Sequence, residues 1–234
     1  MTITYTFLGL SASGAALIAC DQLVHARGAT ERRRSWLKYF VYLVYLGAMI
    51  SVRWWGWWPA VVAVGALSVM ACAEAARLLS GRLATAGAVT LIILVGVGHL
   101  ALLTPSAWTE AFFIVAVSDS YAQLIGRLFG RRQLCPTISP GKTVAGFVAG
   151  VLSAAAFSVV FAFLTSSRSW VAALLTGASV ALAATVGDLF FSAIKRQRHV
   201  KDFSQLIPGH GGVLDRIDSL VCAAPAFYWL HTPL

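Results

Sequence analysis

The sequence predicts an all-α polytopic membrane protein. It should have about eight transmembrane helices, N-terminus and C-terminus outside, and a polar site at the cytoplasmic face. Three observations point there. Hydrophobic residues make up 59% of the 234 positions and charged residues only 12%, which lies outside the soluble globular range. Apolar stretches of about 20 residues, long enough to cross a hydrocarbon core of roughly 30 Å, recur along the whole chain. The basic residues gather on alternate connections between those stretches, as cytoplasmic loops require.

The expected spans are approximately 3–24, 36–52, 54–76, 84–103, 107–128, 143–165, 170–195 and 213–232. They nearly exhaust the chain, so no separate soluble domain fits. The first has no basic run before it and "HARGATERRR" after it, which reads as a retained anchor with its N-terminus outside. Between spans two and three, "WWGWWP" (Trp54–Pro59) places amphipathic rings at headgroup depth on the outer side. Glu74 and Arg77 stand three apart near the inner end of span three and are expected to pair on one helix face. With this alternation, 16 of the 18 Lys and Arg fall on inward connections, and only Arg53 and Arg168 face outward. The net charge of +9 therefore sits at membrane ends, where it orients helices and meets anionic lipid, so nucleic acid is not an expected partner. Cys20, Cys72, Cys135 and Cys222 share no metal-ligand spacing.

Residues 1–103 read as N-terminal membrane-anchoring helices, and residues 104–234 as a catalytic transmembrane region with cytoplasmic loops, the two forming one integral membrane unit. The difference is polar chemistry. Asp119 lies inside span five and Asp188 inside span seven. An acid at that depth costs roughly 3 kcal/mol or more and usually faces a polar cavity. Asp215 and Asp218 open span eight on one helical face. With Asp188 they supply hard oxygen ligands suited to Mg²⁺, which takes one or two carboxylates plus phosphate and water. "SPGKT" leads into span six, where Ser139, Lys142 and Thr143 offer a hydroxyl, an ammonium and amide groups to a phosphate. The spacing is not that of a Walker loop. Finally, "SAIKRQRHVKDFSQLIPGHGGVLDRID" (Ser192–Asp218) joins cations, a Gly turn and carboxylates. Phosphoryl and nucleotidyl transfer use that combination, whereas a plain inner loop needs the cations but neither the acids nor the glycines.

This last segment resembles the signature of the phosphatidate cytidylyltransferase (CDP-diacylglycerol synthase) family. That signature is Ser-x-apolar-Lys-Arg, four residues, Lys-Asp, then Pro-x-His-Gly-Gly-apolar-x-Asp-Arg-apolar-Asp. Ser192, Lys195, Arg196, Lys201, Asp202, Pro208, His210, Gly211, Gly212, Asp215, Arg216 and Asp218 meet its fixed positions. "SPGKT", "VGDLF" and Asp119 are similar to further family elements. The departures are Val144 and Ala145 where the family usually has Trp-Glu, Phe191 where it has Glu, and Gln123 where it has Tyr. The resemblance implies transfer of CMP from CTP to phosphatidate, or a related lipid phosphate, giving CDP-diacylglycerol and pyrophosphate. It implies catalytic roles for Asp188, Lys195, Arg196, Lys201, Asp215 and Asp218, with Mg²⁺ on Asp188, Asp215 and Asp218 and a second cation left open. It also implies substrate contacts from Ser139, Lys142, Thr143, His210, Gly211, Gly212, Arg216 and Asp119. The expected site is a cell or inner membrane with the active site facing the cytoplasm, and a homodimer is left open as the assembly. The alternatives are a CTP-dependent lipid kinase of the same superfamily and an ion-coupled transporter using Asp119 and Asp188.

The charge asymmetry has a direct check. A cysteine placed at Ser167 should react with a membrane-impermeant maleimide added outside intact cells, and one placed at Gln133 should not. The opposite labelling pattern would overturn the orientation.

Overall fold

The computed structural model describes residues 29–165, 167–206 and 211–231, together with Ala15, Ala19 and Gln22. The expected first span, 3–24, lies almost wholly outside the described residues, as does His210. Seven helices are present among the described residues: α1 (Ala29–Trp54), α2 (Trp57–Leu78), α3 (Leu83–Ala101), α4 (Pro105–Phe129), α5 (Val144–Thr165), α6 (Trp170–Gln197) and α7 (Leu214–His231). Five of them, α2 through α6, are long and apolar enough to cross a membrane. The protein is a polytopic helical membrane protein, and the helices fall where the apolar stretches predict them.

Local sequence sets the element boundaries. Gly56 has φ 140, a conformation side chains rarely adopt, and it breaks α1 from α2 within the tryptophan cluster. Thr104 caps α4 by accepting from the Ala107 amide at 3.3 Å, with Pro105 in the first turn. Ser169 caps α6 in the same way through Ala172. At the far end of α6, His199 takes φ 55, and the amides of Arg198, His199 and Val200 satisfy the last carbonyls of the helix.

Two features differ from the expectation. Helix α1 begins at Ala29, seven positions ahead of the apolar stretch starting at 36, because helical backbone continues through the charged "ERRR" segment. The connection between α4 and α5 is an antiparallel hairpin, β1 (Gln133–Cys135) with β2 (Ser139–Thr143), pairing Gln133 with Thr143 and Cys135 with Ser139. The all-α expectation is thus modified by one hairpin in a loop. It was not legible because Pro140 and Gly141 are depleted in strands.

Helix α4 packs on α5, α5 on α6, α6 on α7, and α3 on α7. Trp108, Phe113, Phe161, Phe191 and Phe227 are fully buried between them. Small residues let the backbones approach, as membrane helices generally require. A Cβ on Gly177 would lie 2.6 Å from the Ala154 carbonyl oxygen, and one on Gly187 would lie 2.6 Å from that of Asp218. The outward faces stay apolar, with Leu83 89% and Phe163 83% exposed, which suits lipid contact.

Gly187 therefore fixes the distance between Asp188 and Asp218. Gly187→Val should force α6 away from α7, costing about 1–3 kcal/mol of stability by overpacking. The loss is read as a lower unfolding temperature in detergent.

Candidate active site

At one end of the bundle, the described residues enclose a cavity of about 390 Å³, within the roughly 300–1,000 Å³ of small-molecule sites. Its lining is of two kinds. Leu46, Phe112, Val115, Ala116 and Leu220 are its apolar members. Asp119, Gln123, Asp188, Lys195 and Asp218 line the polar part, together with Asp202, Asp215, Arg216 and Ser219. Residues from α1, α4, α6 and α7 meet here although the chain separates them widely.

The charges are paired. Lys142, on β2, reaches Asp188 Oδ2 with its Nζ at 2.6 Å, while Ser192 Oγ donates to Asp188 Oδ1 at 3.1 Å, one helical turn away. Lys195, only 8% exposed, lies 2.7 Å from Asp215 Oδ1 and 3.6 Å from Asp218 Oδ2, with the Phe203 ring centroid 5.3 Å away. Burial of an ammonium requires such partners. The other oxygen of Asp215 accepts from the amides of Phe203 at 2.8 Å and Gly212 at 2.9 Å. Asp218 Oδ1 accepts from the Ser219 amide at 2.8 Å.

The structure brings Asp119, Asp188, Lys195, Asp215, Arg216 and Asp218 to one cavity, with Lys142 joined through its ion pair. The other predicted residues are placed differently. Arg196 is exposed and donates to the carbonyls of Ile138 and Val200, bracing the hairpin turn against the end of α6. Lys201 is exposed on the following turn. Ser139 lies in the hairpin opposite Cys135. Thr143 Oγ1 accepts from the Gly146 amide at 3.1 Å and so starts α5. Gly211 and Gly212 are buried beside the two acids, and Gly211 has φ 82.

Among the described residues, no three His, Cys, Asp or Glu side chains converge on a single point as ready metal ligands. The reason lies in the bonds above: Asp215 is engaged at both oxygens and Lys142 covers one oxygen of Asp188. The donor chemistry nevertheless suits a hard divalent ion. Carboxylates of Asp119, Asp188 and Asp218 face one cavity, and a cation of this class completes its shell with phosphate and water.

Two buried acids have partners that their sequence neighbourhood does not indicate. Glu74 does not pair with Arg77. It is buried and accepts from Ser204 Oγ at 2.6 Å and from the amides of Val213 at 3.0 Å and Leu214 at 2.8 Å. Nothing local in the sequence signals a partner so far along the chain. Glu110, fully buried, is bound by Arg168 and Ser158 at the opposite end of the bundle, where His231 also meets Arg168. Its position inside an expected span was the available signal.

The model of the family described as "Cytidylyltransferase family" matches residues 22–233. Proteins named phosphatidate cytidylyltransferase are similar over a shorter stretch. That of Haemophilus influenzae is 43% identical over 125 residues, 51% of this chain and 43% of the relative. That of Aquifex aeolicus is 44% identical over 116 residues, 50% of this chain and 43% of the relative. That of Bacillus subtilis is 37% identical over 121 residues, 51% of this chain and 45% of the relative. The matched stretch thus spans less than half the length of these relatives.

The buried Lys195–Asp215 pair makes a prediction of its own. Asp215→Asn removes a charge from a nearly dry ammonium, and breaking such a pair costs about 3–5 kcal/mol. Lys195→Met with Asp215→Asn should be less destabilised than the sum of the single changes, because the second removes the charge the first leaves unpaired. Additive losses of unfolding temperature would exclude the coupling.

Proposed function

Because the chain belongs to the cytidylyltransferase family, we propose that it transfers CMP from CTP to a membrane lipid phosphate, phosphatidate foremost. The products would be CDP-diacylglycerol and pyrophosphate. The names of its relatives support the reaction. The observation that carries the choice of acceptor is a cavity lined both by apolar side chains, Leu46, Phe112 and Val115 among them, and by Asp119, Asp188 and Asp218. An amphiphile with an apolar body and a phosphate end matches such a wall; a free nucleotide alone has no use for its apolar part.

In the proposed reaction an oxygen of the lipid phosphate attacks the α-phosphorus of CTP. The bond from that phosphorus to the bridging oxygen breaks, and pyrophosphate leaves in line. The lipid phosphate is already anionic, so no general base is required of His210. Positioning and charge neutralisation supply the rate. Lys142 and Lys195, one from the hairpin and one from α6, hold the two phosphate-bearing substrates against each other. Arg216, at the cavity edge, and Lys201 and Arg196, on the surface beyond it, draw the triphosphate in. Asp188 and Asp218 would hold Mg²⁺, with Asp119 beside them, and that ion would neutralise charge on the phosphate oxygens. Asp215, within the same acidic set, fixes Lys195 and the ends of the Gly211–Gly212 turn. The site would face the cytoplasm in an eight-span bundle with both termini outside, which places it where CTP is dissolved.

A label decides the reaction. Purified protein in lipid vesicles with Mg²⁺ and phosphatidate should move the α-phosphate label of CTP into the lipid fraction and release a γ-label as pyrophosphate. A γ-label appearing on the lipid would establish a CTP-dependent lipid kinase instead. If neither label moves across a panel of lipid phosphates and divalent ions, the transfer reading fails.

A further inference from the structure

We propose that Glu74, on α2, is a positioning residue for CTP: it sets the two segments, 201–204 and 211–214, that lead into and out of the signature turn, and through them the affinity for the nucleotide. The proposal rests on the cytidylyl-transfer reading for the identity of the ligand, and on geometry for everything else.

Helix α7 begins at Leu214, and the residue before it, Val213, has no side chain that can cap a helix. The missing acceptor comes from α2. Glu74 takes the amides of Val213 and Leu214 on its two oxygens, 139 and 140 residues away in the chain. A carboxylate there also complements the helix dipole. A structural cap would end with those two bonds. Glu74 in addition accepts from Ser204 Oγ at 2.6 Å, which belongs to the segment on the other side of the turn. Its carboxylate therefore ties both flanks of the turn together.

A second observation points the same way. A Cβ on Gly212 would lie 2.5 Å from Glu74 Oε2, so the carboxylate occupies the space that any larger residue at 212 would need. Part of the reason for a glycine at that position of the signature is thus a residue in the other half of the chain. Asp215 completes the arrangement by binding the amides of Phe203 and Gly212, one from each flank. Asp202, next to Phe203, and Asp215 both line the cavity, so a shift of the flanks moves cavity wall. Lys142 and Asp188, by contrast, share no bond with Glu74.

The test uses the full chain in vesicles and compares Glu74→Gln with Ser204→Ala. Glu74→Gln turns one acceptor oxygen into a donor facing the loop. Ser204→Ala keeps the helix cap and removes the bond across the turn, together with the short-range bond from the Leu206 amide to Ser204 Oγ. The expected result is a KM for CTP raised about tenfold in Glu74→Gln and about threefold in Ser204→Ala, the range set by the typical net worth of a single hydrogen bond. The KM for the lipid should stay within about twofold, as should kcat. The double variant should match Glu74→Gln alone, since the Ser204 bond is among those that Glu74→Gln already disturbs. Tryptic cleavage after Lys201, measured without nucleotide, should be faster in both variants. Wild-type CTP affinity and wild-type cleavage in folded variants would overturn the proposal. So would a parallel loss of unfolding temperature, kcat and both KM values, which marks a structural cap only. If Glu74→Gln does not fold, Ser204→Ala decides alone. If the wild-type chain turns over no CTP, the transfer reading fails, and cleavage at Lys201 still reports whether Glu74 holds the loop.

Discussion

An ammonium taken out of water between two membrane helices must be matched, and at Lys195 the match governs everything around it. Its residue is 8% exposed, so leaving it unpaired would cost far more than any one packing contact returns. Asp215 supplies the counter-charge at 2.7 Å and Asp218 stands at 3.6 Å. This pairing fixes the end of α6 against the start of α7. Asp215 can play that part only because it sits in the first turn of α7, where its second oxygen is free to bind the amides of Phe203 and Gly212. One ion pair thereby sets the helix interface, the entry to α7 and the folding-back of the intervening loop.

The rest of the bundle keeps that geometry in place from a distance. Close backbone approach at Gly187 sets the separation of α6 and α7 beside Asp188, and Gly177 does the same for α5 and α6. At the far end, the Glu110 carboxylate is held by Arg168 and Ser158, with His231 against Arg168. That cluster joins α4, α5, the start of α6 and the last residue of α7. Helices α6 and α7 are therefore tied by charge at the cavity end, and the far cluster ties α4, α5 and the last residue of α7 through Arg168. Lipid offers no hydrophobic drive for helices to associate, so packing and buried polar contacts must serve instead.

Much of this was legible in the sequence, for reasons that are local. Apolar runs predict α2 to α6 because a bilayer imposes length, and Asp119, Asp188, Asp215 and Asp218 stand out because acids are expensive where they lie. All four line one cavity. What the sequence did not reveal are contacts across long separations. Glu74 was paired on paper with Arg77, three residues away, since helix spacing is the only partner rule available there; its true partners are some 140 residues on. Thr143 and Arg196 read as phosphate contacts by type, and their side chains bond backbone groups; the composition of a loop cannot say which of its polar groups the chain itself will use.

The pairing of charges in the site also bears on how it would receive its ligands. Asp119, Asp188, Asp215 and Asp218 share a cavity with one apolar wall, where like charges repel more strongly than in water. Two lysines offset them, and they differ in freedom. The Lys195 side chain is 10% exposed and locked to Asp215, whereas that of Lys142 is 27% exposed and rests on Asp188 alone, among the ion pairs of the described residues. In the proposed transfer these differences assign the work. Lys195 would present a fixed charge to phosphate from its place between α6 and α7. Lys142, on a hairpin outside the helix bundle, can leave Asp188 for an incoming phosphate, and in leaving it uncovers the carboxylate oxygen that a divalent ion accompanying the nucleotide would take. The ion pairs of the site and the proposed contacts with charged substrates thus involve the same side chains.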